Sequence, residues 1–260
     1  MILRRFLPAA ALCWLIPALT MAQQVPAGTV LPVMLSTTLN SGRSEPGDQI
    51  TARLSQDVSL ASGERIPAGA KIRGQVVASS PSANSAAARL YVRFDRIVDG
   101  KKQMPILVSL RAIASMMDVF DAQLPVGTFD DYGTTTADWT TVQVGGAAVY
   151  RGDGTVRSAM EVIGRATDYG AVTAKLQPNP KLGCPEKSGE VEREQSLWVF
   201  SPWACGTYGF DDLVISHHGS TAPVGTIELT APKAIRIRAG SGWLLTVVAS
   251  PEPESAPAPR

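Results

Sequence analysis

The chain is poor in the residues from which most enzymes build their chemistry. Its 260 residues include two histidines, His217 and His218, and three cysteines. Neighbours on a strand point to opposite faces, so the two histidines cannot easily share one metal ion; a zinc site would need ligands arriving from elsewhere, such as Asp211 or Asp212. No Gly-x-Ser-x-Gly elbow is present, and neither histidine has a recognisable acid partner, which excludes the common nucleophilic-serine pattern. The Asp-x-Asp-x-Asp-Gly spacing of a calcium loop is missing from 130–138. Neither sign of charge dominates. With 24 Lys+Arg against 23 Asp+Glu, nothing biases the chain toward nucleic acid or anionic lipid. These absences leave no catalytic residue, metal ligand or cofactor to assign.

Long apolar runs are scarce as well. The one uncharged stretch of note, Phe6 to Leu19, follows Arg4 and Arg5 and precedes Thr20-Met21-Ala22. A short positive region, an apolar segment and small residues at the cleavage site make a secretory signal peptide, predicted to be cut after Ala22. The apolar segment falls short of the roughly 20 residues that span a bilayer, and Pro8 and Pro17 interrupt it. Cys13 follows Leu12 rather than a small residue, so no lipid anchor is expected. Removing residues 1–22 takes two arginines away and turns the net charge from +1 to −1. No later stretch reaches transmembrane length. The expected address is therefore periplasmic or secreted.

Only Cys184 and Cys205 remain after cleavage. Their spacing suits neither a Cys-x-x-Cys redox site nor a zinc site without further ligands, so an exported chain should join them in a disulfide. Closing a loop of that length contributes roughly 3 kcal/mol. Between and beyond them runs an aromatic series, Trp198, Phe200, Trp203, Tyr208 and Phe210. Trp198, Trp203 and Tyr208 offer flat faces that could stack on a sugar ring or other ligand, but aromatic side chains more often fill a core, here around the bridge. Asp130-Asp131 and Asp211-Asp212 could supply a carboxylate pair for glycosidic chemistry, but acidic pairs in such loops more often form turns. Arg151-Gly152-Asp153 reads as a turn.

What the sequence has in quantity is strand and turn signal. Val25-Pro26-Ala27-Gly28 and Ile66-Pro67-Ala68-Gly69 are near copies, and Ile237-Arg238-Ala239-Gly240 is a looser third. Each leads into a β-favouring stretch. Proline at the second position and glycine at the fourth predict type I turns. Ile50, Ala52 and Leu54 alternate on one face of a strand, as do Leu90, Val92 and Phe94. The best hairpin joins 89–98 to 104–111 through Asp99-Gly100, a type I′ signal. Residues 112–122 read as one short helix. The predicted fold is mainly β, a barrel-like or sandwich-like domain with little helix. It divides into a signal peptide (1–22), the first part of the β domain (23–111), an irregular β-rich insertion carrying the disulfide (112–225), closing strands (226–249) and a disordered Pro-rich tail (250–260).

The order of phrases from Val25 to Ser41, Ile50 to Leu60, Ile66 to Gly74, Arg89 to Ile97 and Ile235 to Val248 resembles the C-terminal β-barrel domain of the TrbI-like family, channel proteins of conjugation and type IV secretion. The likeness covers about half of the chain after cleavage. The family's inner-membrane helix, proline-rich arm and membrane-inserting helical hairpin have no counterpart here. The resemblance therefore implies a barrel fold, an envelope address and an envelope protein partner, without channel activity. The whole chain is also similar to uncharacterised secreted bacterial proteins sharing the phrases 196–200 and 204–206. Two functions remain open: a non-enzymatic envelope structural or protein-interaction module, and an extracytoplasmic ligand or carbohydrate binder.

Overall fold

A computed structural model describes residues 24–84, 86–126, 140–150, 154–158, 161–167, 170–184, 193–216 and 225–249. The expected signal peptide, the tail, both histidines, Asp130-Asp131 and the 151–153 tripeptide lie outside the described residues.

The chain is mainly β, with a curled half-barrel sheet. The first strands are β1 (Val30–Leu35), β2 (Leu39–Asn40), β3 (Gln49–Leu54), β4 (Val58–Ser59), β5 (Arg65–Ile66), β6 (Lys71–Ser80), β7 (Ala88–Asp99), β8 (Lys102–Pro105) and β9 (Leu107–Ala114). A short helix, α1 (Met116–Asp121), follows. Then come β10 (Thr140–Val142), β11 (Ala148–Tyr150), β12 (Thr155–Ser158), β13 (Glu161–Ala166), β14 (Val172–Ala174) and β15 (Gln195–Trp198). The chain closes with β16 (Gly206–Tyr208), β17 (Val214–Ser216), β18 (Ile227–Ala231), β19 (Arg236–Ile237) and β20 (Gly242–Ala249).

The large sheet runs β16-β9-β20-β1-β3-β6-β7-β18-β17, with β8 on β7. All its pairs are antiparallel except β16 with β9. Its two outermost strands are near neighbours in the chain, and the Thr207 hydroxyl donates to the Leu213 carbonyl between them (2.9 Å). The inner face buries Leu31, Val33, Leu35, Ile50, Leu90, Phe94 and Trp243 in one core. Phe94 and Trp243 meet edge to face at 5.8 Å. The predicted faces of β3 and β7 are the buried ones.

The three repeated phrases are one structure built three times. The N–H of Gly28, Gly69 and Gly240 donates to Val247, Leu54 and Leu35, each at 2.7 Å. The N–H of those same three residues returns to Thr29, Ala70 and Ser241, each at 2.9 Å. The turn itself differs from expectation. Thr29, Ala70 and Ser241 donate to Pro26, Pro67 and Arg238, so the first position is proline in two of the turns and arginine in the third, and glycine is at the third position in each. With φ of 80°, 86° and 91°, the glycines make these type II turns, because that position requires a left-handed backbone. The proline serves to fix the chain's entry rather than the turn's interior.

Four further expectations change. The hairpin from β7 ends at β8: Ile106 N–H makes a last bond to Asp95, and β9 then leaves to pair with β20. Seven consecutive residues of β9, Val108 to Ala114, are buried, the signature of a strand covered on both faces rather than a hairpin arm. At the tip, Asp99 pairs with Lys102, and Gly100 has φ of 57° while Lys101 does not follow it into the left-handed region, so the turn is of the II′ kind. The helix predicted at 112–122 shrinks to α1, because Ala112–Ala114 belong to β9 and Ser115 caps the helix by accepting from the Asp118 N–H. The boundary expected at 111/112 thus falls inside β9, and β16 and β17 join the large sheet, leaving β10 to β15 as the added layer.

That layer is a six-stranded antiparallel meander, β10 to β15 in chain order. It lies on the outer face of β9, β20 and β1. Val30, Ala112, Ala114 and Leu244 from the large sheet pack there with Val149, Val172, Leu197, Trp198 and Phe200.

A Cβ on Gly69 would meet nothing within 4 Å, so Gly69→Ala tests the backbone alone. We expect a loss of about 1–2 kcal/mol in chemical denaturation; an unchanged midpoint would mean that the corner does not need its left-handed residue.

Candidate functional site

The added layer is stitched to the barrel by amide side chains acting as backbone. Gln195 on β15 accepts from the Val30 N–H (2.9 Å) and donates to the Gly28 carbonyl (3.0 Å), imitating a strand beside the first corner. In the other direction, Gln56 accepts from the Trp198 N–H (2.7 Å) and donates to Thr173 Oγ1 (3.2 Å). Ser196 donates to the Asp57 carbonyl. Between these stitches lies an open polar cleft of about 530 Å³, lined among others by Ser55, Asp57, Arg65, Thr167, Thr173 and Glu194. Both oxygens of Asp57 are engaged, one by Arg65 (2.8 Å) and one by the Ala68 N–H (2.7 Å). Glu194 lies 3.9 Å from Arg165. The cleft offers hydroxyls and amides for hydrogen bonding.

Cys184 and Cys205 are joined in the expected disulfide. It pins the 177–184 segment to the 201–205 turn, where buried Arg111 of β9 donates to the carbonyls of Ala204 and Gln177. The candidate stacking residues have different surroundings. Trp198 is only 5% exposed and packs into the second core, so it presents no face to a ligand. It has φ of 51° in a turn closed by Phe200 N–H to the Leu197 carbonyl, a backbone usually left to glycine. The Gln56 bond and the packed ring hold it there. Trp203 and Tyr208 are half-buried against the same core. Tyr208 Oη accepts from the Cys205 N–H (3.0 Å). Burial pushes the Tyr208 phenol above its ordinary value, opposed by the Cys205 hydrogen bond and by the Arg111 charge. Asp211 and Asp212 are exposed beside Lys233 and Arg236. Among the described residues, no three His, Cys, Asp or Glu side chains gather as a metal site.

The surface holds a feature that sequence reasoning missed. Met117, Phe120, Leu124, Val126 and Val142 are each between 44 and 56% exposed. Met117 and Phe120 stand three apart on α1, so they share its outer side, while Val119 faces the core. The Val126 N–H donates to the Thr140 carbonyl (2.7 Å), which brings the strip to β10, the edge strand that carries Val142. The apolar spacing at 117, 120 and 124 is visible in the sequence; which side of the helix is buried is decided by Val119 and Ala122 meeting the second core. Exposed apolar side chains grouped in this way mark interaction surfaces.

Comparison with family models gives no match for this chain, and comparison with curated proteins gives none. No described helix is long and apolar enough to cross a membrane.

The raised Tyr208 phenol contributes stability that is fully present below the ordinary phenol value near 10 and is lost as pH rises through the folded value. Tyr208→Phe, compared with the native chain by denaturant unfolding across an alkaline series, should show a shallower loss above about pH 10. Parallel curves for the two proteins would refute this assignment.

Proposed function

We propose that this protein is a non-enzymatic, exported module of the cell envelope that binds another protein through the apolar strip on α1 and β10. The strip is the observation that carries the reading. It stands on a rigid base: the helix is capped by Ser115, docked through Val119 and flanked by the strand β10. The disulfide is compatible with an oxidising compartment, periplasmic or secreted, as the signal peptide implies. The resemblance of the phrase order to TrbI-like barrels supports an envelope scaffold in which a barrel supplies a surface rather than a reaction.

A second reading, an extracytoplasmic binder of carbohydrate or another polar ligand, draws on the cleft between Asp57 and Glu194 rather than on the buried Trp198. Glycan-array binding that disappears in Gln56→Leu or Thr173→Val would favour it over the interaction module.

The test of the main reading is site-specific photo-cross-linking in the native cells. A probe at Phe120 should capture one envelope protein, and Asp in place of Met117 should abolish that product. A probe at Val214, exposed on β17, should give none. No product from Phe120, or the same products from Val214, would sink the proposal.

A further inference from the structure

Two of the three corners carry an outer ribbon built on one plan. Leu35-Ser36-Thr37-Thr38-Leu39-Asn40 leaves β1 as Leu54-Ser55-Gln56-Asp57-Val58-Ser59 leaves β3. β2 then pairs with Arg236–Ile237 as β4 pairs with Arg65–Ile66. Thr38 Oγ1 accepts from the Ala239 N–H (3.2 Å) as Asp57 Oδ1 accepts from the Ala68 N–H (2.7 Å). The copies part at one point. Arg65 is paired with Asp57, whereas in the ribbon of Arg236 the place of Asp57 is taken by the neutral Thr38. Among the described residues, neither the Arg236 nor the Arg238 side chain has an ion pair or hydrogen bond.

These two open guanidinium groups border a groove of about 240 Å³ whose apolar walls are Met116, Met117 and Phe210. Met117 is also the first residue of the exposed strip, so groove and strip are continuous. A ligand that completes this surface must bring carboxylates for the arginines and an apolar side chain for the methionine and phenylalanine walls. Around the groove, Asp118 is bonded to Ser115 and lies beside Gly209, and Asp211 and Asp212 are exposed next to Phe210. They break the field into points of opposite sign, which suits a discrete segment better than a uniformly anionic bilayer.

We infer that the groove receives an acidic, apolar segment of the partner protein, its carboxylates on Arg236 and Arg238 and an apolar side chain between Met117 and Phe210. This rests on the interaction reading and names the chemistry of the partner.

The probe is a fluorescein-labelled peptide alternating aspartate with leucine and phenylalanine, followed by anisotropy on the purified protein. Two controls replace its aspartates by lysine or its apolar residues by serine. Only the first peptide should bind, less tightly at high salt. The double variant Arg236→Gln/Arg238→Gln should weaken it about tenfold. Arg65→Gln, in the sister ribbon, should leave it unchanged. Equal binding of the lysine peptide, indifference to the double variant, or binding of phosphatidylglycerol vesicles in place of the peptide would overturn the inference. Cross-linking from Phe120 separates the two levels. A product that persists in the double variant keeps the interaction reading and defeats this one, while its absence from the native protein defeats the reading beneath.

Discussion

A single hydrogen-bond exchange organises the barrel. At each corner, a left-handed glycine gives its N–H to the end of a neighbouring strand and the following residue takes one back. Because the exchange fixes where one strand starts against where its neighbour stops, it sets register without help from a tight hairpin. A slip of one residue would turn Leu31, Val33 and Leu35 out of the core. Two of the corners bind β1 and β20 to each other reciprocally, so this central pair is locked at both ends.

The locked pair explains why the outer layer sits where it does. β9, the first half of β20 and the start of β1 are buried on both faces, which leaves an apolar exterior that has to be covered. The six-stranded meander covers it. Its attachment uses Gln195, Gln56 and Ser196 to pair backbone groups of the opposing layer at Gly28, Val30, Trp198 and Asp57. Arg111 does the same for the disulfide segment. Trp198 is therefore best understood as part of the join: its strained backbone persists because its N–H and its ring are both held.

Much of the barrel was legible from local pattern. Alternation at Ile50–Leu54 and Leu90–Phe94 named the buried faces, and the repeated Ala-Gly phrases located the corners. The turn type was misread because proline is equally at home one position earlier, and only the hydrogen bonds distinguish the two. The fate of 104–111 was hidden for another reason: an apolar run says that both faces are buried but not against which strand. The cysteine pair was readable from count and spacing. The exposed strip was not, since Met117, Phe120 and Leu124 look like a core face until Val119 is seen to take that place. Arg236 and Arg238 gained meaning only by comparison with the ribbon that holds Arg65.

The central position of β1 also dictates a timetable. Its residues pair with Thr246 to Gly242, more than two hundred positions later in the chain. Anything emerging amino end first, from a ribosome or through a translocation pore, presents β1 long before its main partner exists. β1, β3, β6, β7 and β8 pair with near neighbours in the chain and can form behind the exit, but the seam of β1 with β20 cannot. It must wait for the whole polypeptide, and during that interval β1 has to be kept from pairing with the wrong edge.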